Sequence, residues 1–370
     1  MMVQDSRRSQ STSRTAARVA AVSIVVAAFG WNSSQATSPS SPAAQPVSIR
    51  ISWQPAVPWA VPMYEATKQG WWQQVGLKVV STTHFPAGAP QVAAAASGSW
   101  DLGATGSVPA IEGAREFGLL TIGISDEEGG LNQMMASKSM AEQIAKDPQV
   151  LKGQTIPVTQ QSTGQWAVLA CLQNKFKVSP KDVKLLNMQL AAINTGARSG
   201  TFQVWMEYTQ DQFELEQSIG AKVICDGRQA GIHILGNIVV TPGFAKAHPE
   251  AVAAFLAVYS HGVVWERKHP DEAIQAFAAF AREGGKELTL SQAKTMLALA
   301  PNFTVPEQLK LMRSNGGASQ WHAWLNELIH FGTSVGMFQS PPTPDQFATS
   351  KYMQMVERNP ALLKFATESN

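Results

Sequence analysis

The chain has 370 residues, of which 44% are hydrophobic and 15% charged, and a formal net charge of +2 at pH 7. Four of the positive charges, Arg7, Arg8, Arg14 and Arg18, lie ahead of the first apolar run, so the remainder is near neutral, which argues against a nucleic-acid surface. The length and apolar content allow two modest domains with their own cores, and no later apolar segment reaches membrane-span length.

The arginines form a basic n-region, and Val19 to Phe29 is an apolar run of roughly a dozen residues, the length of a signal h-region and short for a span. Ser34-Gln35-Ala36 supplies a small-x-small pattern, so residues 1–36 are expected to be a signal peptide cleaved near Ala36; an uncleaved anchor is the alternative. Arg7-Arg8 leaves both the general and the twin-arginine export routes open. Residues 37–46 read as a Ser/Pro/Ala tether with nothing to bury.

Next come a strand at Val47–Trp53, a helix over Trp59–Gln69 stopped by Gly70, and a strand at Leu77–Ser81. An Ala-rich helix covers Pro90–Ser97, a short strand Asp101–Ala104, a helix Ser107–Phe117 and a buried strand Leu119–Ile124. The pattern restarts with a strand at Gln154–Val158, where Pro157 suggests an edge. Ser162-Thr163-Gly164 opens a helix running to about Lys175, and Val183–Asn187, Gln203–Glu207 and Lys222–Cys225 read as strands. Gly236–Thr241 could carry the chain back to the first unit. Helices follow at Pro249–Lys268, Asp271–Arg282, Ser291–Ala300 and Ala318–Phe331. Such alternation predicts an α/β fold with mostly parallel sheets flanked by helices.

The two cysteines, Cys171 and Cys225, could form one bridge in an oxidising compartment; small buried thiols are the reading favoured here. Their spacing makes neither a zinc site nor a thioredoxin-type motif.

In open α/β sheets a ligand lies beyond the carboxyl ends of the strands. That rule nominates Gln54, Gly88, Thr105, Gly106, Ser107, Asp126, Glu127, Ser162 and Thr163. Thr105-Gly106-Ser107 and Ser162-Thr163-Gly164 both open helices, where free N–H groups favour an anionic group; ordinary capping by Ser and Thr is the bland alternative. Asp126 and Glu127 could pair with an amine or another cationic part of a ligand, whereas Glu128 reads as a solvated turn. If Asp126 faces the cleft, a ligand carrying both signs fits better than a simple inorganic anion. Trp53 and Trp59 could supply a flat wall. Tyr208 and Glu207 are candidates from the second unit, and Trp71-Trp72 reads as packing.

No catalytic residue, metal or cofactor is called for. The histidines form no H-E-x-x-H pair, and there is no G-x-S-x-G elbow or P-loop. Binding is therefore expected, not chemistry.

Several pieces together carry a family resemblance: W-Q-P, A-T-K-Q-G-W-W-Q-Q-V-G-L-K-V, P-A-G-A-P, A-A-S-G-S-W-D-L-G-A-T-G-S-V-P, L-K-G-Q-T-I-P-V and H-P-E-A-V-A-A-F-L. In order and spacing the chain resembles the periplasmic substrate-binding proteins of ABC importers for nitrate, sulfonates, taurine and thiamine-type pyrimidines. The resemblance implies a two-lobed type II periplasmic-binding-protein-like fold with a helical C-terminal region. Residues 47–132 and 238–370 would make the first lobe and 133–237 the second, closing by a hinge on a small polar organic molecule or anion. A periplasmic monomer would deliver that ligand to a membrane permease with its ATPase, without nucleic acid. The alternatives on the same fold are a pyrimidine-precursor-type enzyme or a sensor lobe. The pattern departs at Gln203, where an Asp is expected, and at Tyr208-Thr209-Gln210, where Trp-x-Pro is missing.

Overall fold

A computed structural model describes residues 45–314 and 316–369. The expected signal peptide, its cleavage site and most of the tether lie outside the described residues.

β1 (Val47–Trp53) buries Ile49, Ile51 and Trp53. The single helix expected at Trp59–Gln69 is divided: a one-turn 3-10 helix at Pro58–Ala60 leads into α1 (Val61–Gln69). Gly70 ends α1 at φ 70°, a left-handed value that glycine adopts without a Cβ clash. α2 (Trp71–Gln74) is one turn, and its Trp72 stacks on Phe255 with ring centroids 5.2 Å apart, the packing role expected of it. β2 (Leu77–His84), α3 (Gly88–Ala95), β3 (Leu102–Gly106), α4 (Ser107–Phe117) and β4 (Leu120–Glu127) complete the first run.

The second run contains β5 (Asn132–Ala136), α5 (Lys138–Lys146), β6 (Thr155–Val158), α6 (Thr163–Ala170), β7 (Lys184–Asn187) and α7 (Leu190–Arg198). It ends with β8 (Val204–Tyr208), α8 (Thr209–Ile219) and β9 (Lys222–Asp226), before β10 (Leu235–Val240). Helices then follow one another: α9 (Pro242–Ala247), α10 (Pro249–Lys268), α11 (Pro270–Glu283), α12 (Leu290–Leu299) and α13 (Val305–Met312). α14 (Gln320–Ser334), α15 (Pro344–Phe347), α16 (Lys351–Arg358) and α17 (Pro360–Thr367) close the chain.

The expected α/β class holds, with one mixed sheet, one antiparallel sheet and one parallel pair. A five-stranded sheet has the order β2-β1-β3-β10-β4, with β1 parallel to β2 and β3, and β10 antiparallel to β3 and β4. A three-stranded sheet has the order β8-β5-β9, antiparallel on both sides of β5. β6 and β7 form a separate parallel pair, so Pro157 faces a ladder partner on one side only. The strands that run against their sheets are β5 and β10, which begin where the chain passes from one sheet to the other.

α10 is the central helix, buried continuously from Ala251 to Val263 and packed on α1, α16 and α17. Fully buried Phe255, Tyr259, Trp72, Phe277 and Phe280 anchor this layer, each contributing roughly 1.5–3 kcal/mol of apolar burial.

The buried-thiol reading is corrected: Cys171 and Cys225 form a disulfide with Cα atoms 6.0 Å apart. A π turn at Cys171–Lys175 extends α6 and brings Cys171 to the end of β9. That contact has no local signature in the sequence.

Candidate functional site

β3 ends at Gly106 and α4 begins at the next residue, while α6 begins at Thr163 behind its Ser162 cap. These two helix starts meet. A Cβ built on Gly106 would lie 2.6 Å from Thr163 Cγ2 and 3.3 Å from Glu128 Oε1. Gly106 pairs with Gly236 across β3 and β10, and a Cβ on Gly236 would lie 1.9 Å from Asp126 Oδ1 and 2.2 Å from Ser125 Oγ. Directly paired residues turn their Cβ positions to the same face of a sheet. Two glycines therefore make a floor over which Asp126, Ser125, Glu128 and Thr163 converge.

Both acids above the floor are buried, Asp126 at 0% and Glu128 at 7% exposure, so Glu128 is not the solvated turn residue expected. Burial drives the Asp126 carboxyl well above its usual range, and the neighbouring Glu128 charge adds to this. The Ser125 hydroxyl donates to Asp126 Oδ1 at 2.8 Å; Oδ2 has no partner among the described residues. Glu128 is pushed up to about 7 by burial and then by the charge of Glu127, against opposing hydrogen bonds from Trp59 and Asn132. Glu127 points elsewhere, accepting from Arg228 Nε and from the Gly129 amide at 3.0 Å each.

Behind this pair lies a third acid. Burial pushes Glu266 up to about 8. Asn302 Nδ2 donates to Glu266 Oε2 at 3.0 Å and lies 3.3 Å from the Pro58 carbonyl. The Tyr259 hydroxyl lies 3.1 Å from the Trp59 carbonyl and 3.3 Å from Asn302 Oδ1. This network holds the Pro58–Ala60 turn, and with it the Trp59 ring, against Glu128.

The Tyr208 hydroxyl meets Ser162, Thr163 and the Gly164 backbone at the start of α6; burial, with the Glu128 charge, raises its pKa. On the other side of Gly106, Gln54 Nε2 donates to Gln91 Oε1 at 3.0 Å and to Thr105 Oγ1 at 3.2 Å. Gly88, the first residue of α3, abuts Thr105: a Cβ there would lie 2.9 Å from Thr105 Oγ1.

The structure thus gathers Gln54, Gly88 and Thr105 on one side of Gly106, and Trp59, Asp126, Glu128, Thr163 and Tyr208 on the other. Three nominated side chains are committed locally. Ser107 Oγ donates to the Leu235 carbonyl at 2.7 Å, Ser162 Oγ donates to the Thr159 carbonyl at 2.6 Å while capping α6, and Glu127 is paired with Arg228. Trp53 is 3% exposed and meets Phe280 edge-on at 5.9 Å. Glu207 is fully buried, with Oε1 on the Tyr208 amide at 2.9 Å. Sequence reasoning missed Gln91, Gly236, Tyr259, Glu266 and Asn302, since each acts through a partner distant in the chain. A surface cavity of about 630 Å³ lined by Glu65, Lys68, Trp265 and Arg282 lies between α1 and α11 and contains none of the nominated residues. No group of three potential metal ligands occurs among the described residues.

Buried acids beside two helix starts, over a glycine floor and next to aromatic rings, can hold a small molecule by hydrogen bonds and charge. The profile of the family described as NMT1/THI5 like matches residues 58–273. The taurine-binding periplasmic protein of Escherichia coli (strain K12) is 27% identical over 216 residues, which is 57% of this chain and 64% of that protein. A relative from Bacillus subtilis (strain 168) is matched at 27% identity over 65% of its length, so the chain spans a little under two thirds of the curated relatives it matches. Among solved structures, the aliphatic sulphonate binding protein SsuA of Escherichia coli superposes with a TM-score of 0.65 at 17% identity, over 82% of this chain and 92% of that one. The alkanesulfonate-binding protein SsuA of Xanthomonas axonopodis pv. citri, bound to MOPS, gives 0.66 at 19% identity, over 83% and 99%.

Proposed function

The chain belongs to the NMT1/THI5-like family and has the periplasmic-binding-protein fold, and on that premise we propose that it is the extracytoplasmic solute-binding component of an ABC importer. Its guest is a small organic sulfonate that also carries an amine. The observation behind this reading is the convergence of Asp126 and Glu128 over the Gly106–Gly236 floor beside the starts of α4 and α6. A simple inorganic anion would meet two acids there. A zwitterion would meet acids at one end and helix-terminal amides at the other. Taurine and MOPS, which the relatives' names and titles mention, each join a sulfonate to an amine nitrogen.

In this reading Glu128 and Asp126 face the amine, and Thr163, at the start of α6, faces the sulfonate. Trp59 and Tyr208 form the walls, and Gln54, Gly88 and Thr105 the remaining edge. Residues 47–132 and 238–370 form one lobe and 133–237 the other, closing on the guest. The exported monomer then passes the guest to a permease with its ATPase. Both cysteines are taken up in the disulfide, so an enzyme on this fold would have to work without a thiol nucleophile.

Titration calorimetry of the full chain with taurine, ethanesulfonate and nitrate tests the proposal. Taurine should bind at least tenfold more tightly than ethanesulfonate and be recovered unchanged. Equal affinities, tighter nitrate binding or turnover of taurine would overturn it.

A further inference from the structure

Gln91 lies in α3, fully buried, and no feature of its sequence neighbourhood marks it. Its Nε2 donates to the main-chain carbonyl of Ala104 at 2.9 Å and to Ser52 Oγ at 2.9 Å. A carbonyl oxygen can only accept, so this contact orients the Gln91 amide: the nitrogen faces β3 and the oxygen faces Gln54. That oxygen in turn requires a donor, and Gln54 turns its nitrogen to it at 3.0 Å. The second Gln54 N–H goes to Thr105 Oγ1 at 3.2 Å. Both donors of Gln54 are now committed. Its Oε1 takes no hydrogen bond from any described residue, and the side chain is only partly buried.

We propose that Gln91 is a positioning residue that sets the polarity of the site's Gln54 edge: it makes Gln54 an acceptor, so the guest must bring a hydrogen-bond donor to it. A free glutamine amide can offer either end, because a half-turn about its last bond exchanges oxygen and nitrogen. Here one main-chain carbonyl, two side chains removed from the guest, settles the choice. Thr105 follows the same logic. Fully buried, it accepts from Gln54 and so fixes the second Gln54 N–H. Thr105 precedes Gly106 in β3, so side-chain positions alternate there and the Gln54 edge adjoins the glycine floor from its other side. A donor on the guest, such as an ammonium group, is what this acceptor can take. The inference rests on the site reading given above.

The test compares taurine, which carries a donor at its amine end, with ethanesulfonate, which has none, by calorimetry on the full chain. Gln91→Met keeps the length of the side chain and removes its amide. It should lower the taurine-over-ethanesulfonate preference about tenfold, the size of one oriented hydrogen bond to a charged group. In a Gln54→Glu background, Gln91→Met should leave the preference unchanged, because a carboxylate presents an acceptor whichever way it turns. Both probes read the same folded population, so lost stability alone does not move their ratio. Equal weakening of both probes by Gln91→Met would make Gln91 merely structural and overturn the inference, as would an undiminished effect in the Gln54→Glu background. A wild-type protein that prefers taurine, with Gln91→Met keeping that preference, defeats this inference and leaves the site reading standing. A wild-type protein that binds neither probe defeats both.

Discussion

Gly106 and Gly236 face each other across the β3–β10 pair, and neither position accepts a methyl group without displacing a site residue. At Gly236 the added carbon would lie 1.9 Å from Asp126 Oδ1, so Gly236→Ala has to move the acid. It should weaken taurine binding at least tenfold and destabilise the fold by about 1–3 kcal/mol, the usual penalty of overpacking. Gly243→Ala is the control: nothing lies within 4 Å of its added carbon, and both affinity and urea midpoint should hold or improve slightly.

The acids divide the guest's two ends. Glu128→Gln removes a charge and keeps the shape, so taurine should lose about tenfold or more in affinity while ethanesulfonate is unchanged or improved. Asp126→Ala should act in the same direction. Calorimetry that shows taurine unaffected by both substitutions would remove the amine from the acids.

Proton uptake gives an independent signature. Glu128, pushed up to about 7, and Glu266, pushed up to about 8, both stand above their ordinary value of 4.5. Between these limits the folded chain holds protons that the unfolded chain has released. The stability linked to these two groups is therefore full below about pH 4.5 and is lost as pH rises through 7 and 8. Glu266→Gln should flatten part of that decline in urea midpoints measured without ligand. Taurine affinity should run the opposite way, rising as Glu128 ionises, and this rise should vanish in Glu128→Gln.

The Cys171–Cys225 bridge closes a segment across a sequence separation of 54 residues. Restricting the unfolded chain by such a loop contributes about 4 kcal/mol in the chain-entropy account. The double variant Cys171→Ser/Cys225→Ser should lose stability on that scale in urea melts. Reductant should lower the wild-type midpoint and leave the variant's unchanged.

Elements whose cause is local were legible in the sequence. β1, α4 and α10 have the bounds expected, because alternation, a strand-to-helix glycine and a His-Pro-Glu start are short-range signals. β5 was missed, since Asn132 and Gln133 interrupt any alternation, and their burial depends on partners in β8 and β9. The strand-end rule nominated Thr163 and Asp126, which lie beside Gly106 and Gly236 respectively. It passed over Gly236, which reaches Gly106 only through a pairing between residues 130 positions apart, and it misjudged Glu128, whose burial comes from the turn at Trp59. The pairing of the cysteines was undecidable in the same way, being set by where α6 ends relative to β9.

The position of β10 has a consequence for how the chain reaches this state. Leu235–Val240 separates β3 from β4, and both of those strands are complete more than a hundred residues earlier. Until that late segment arrives, the first sheet presents two open edges, and any chain stopped short of it leaves them available to other molecules. Assembly is thus governed by contacts between distant residues, which favours slow folding and makes C-terminal truncations before Leu235 aggregate instead of yielding a smaller folded unit.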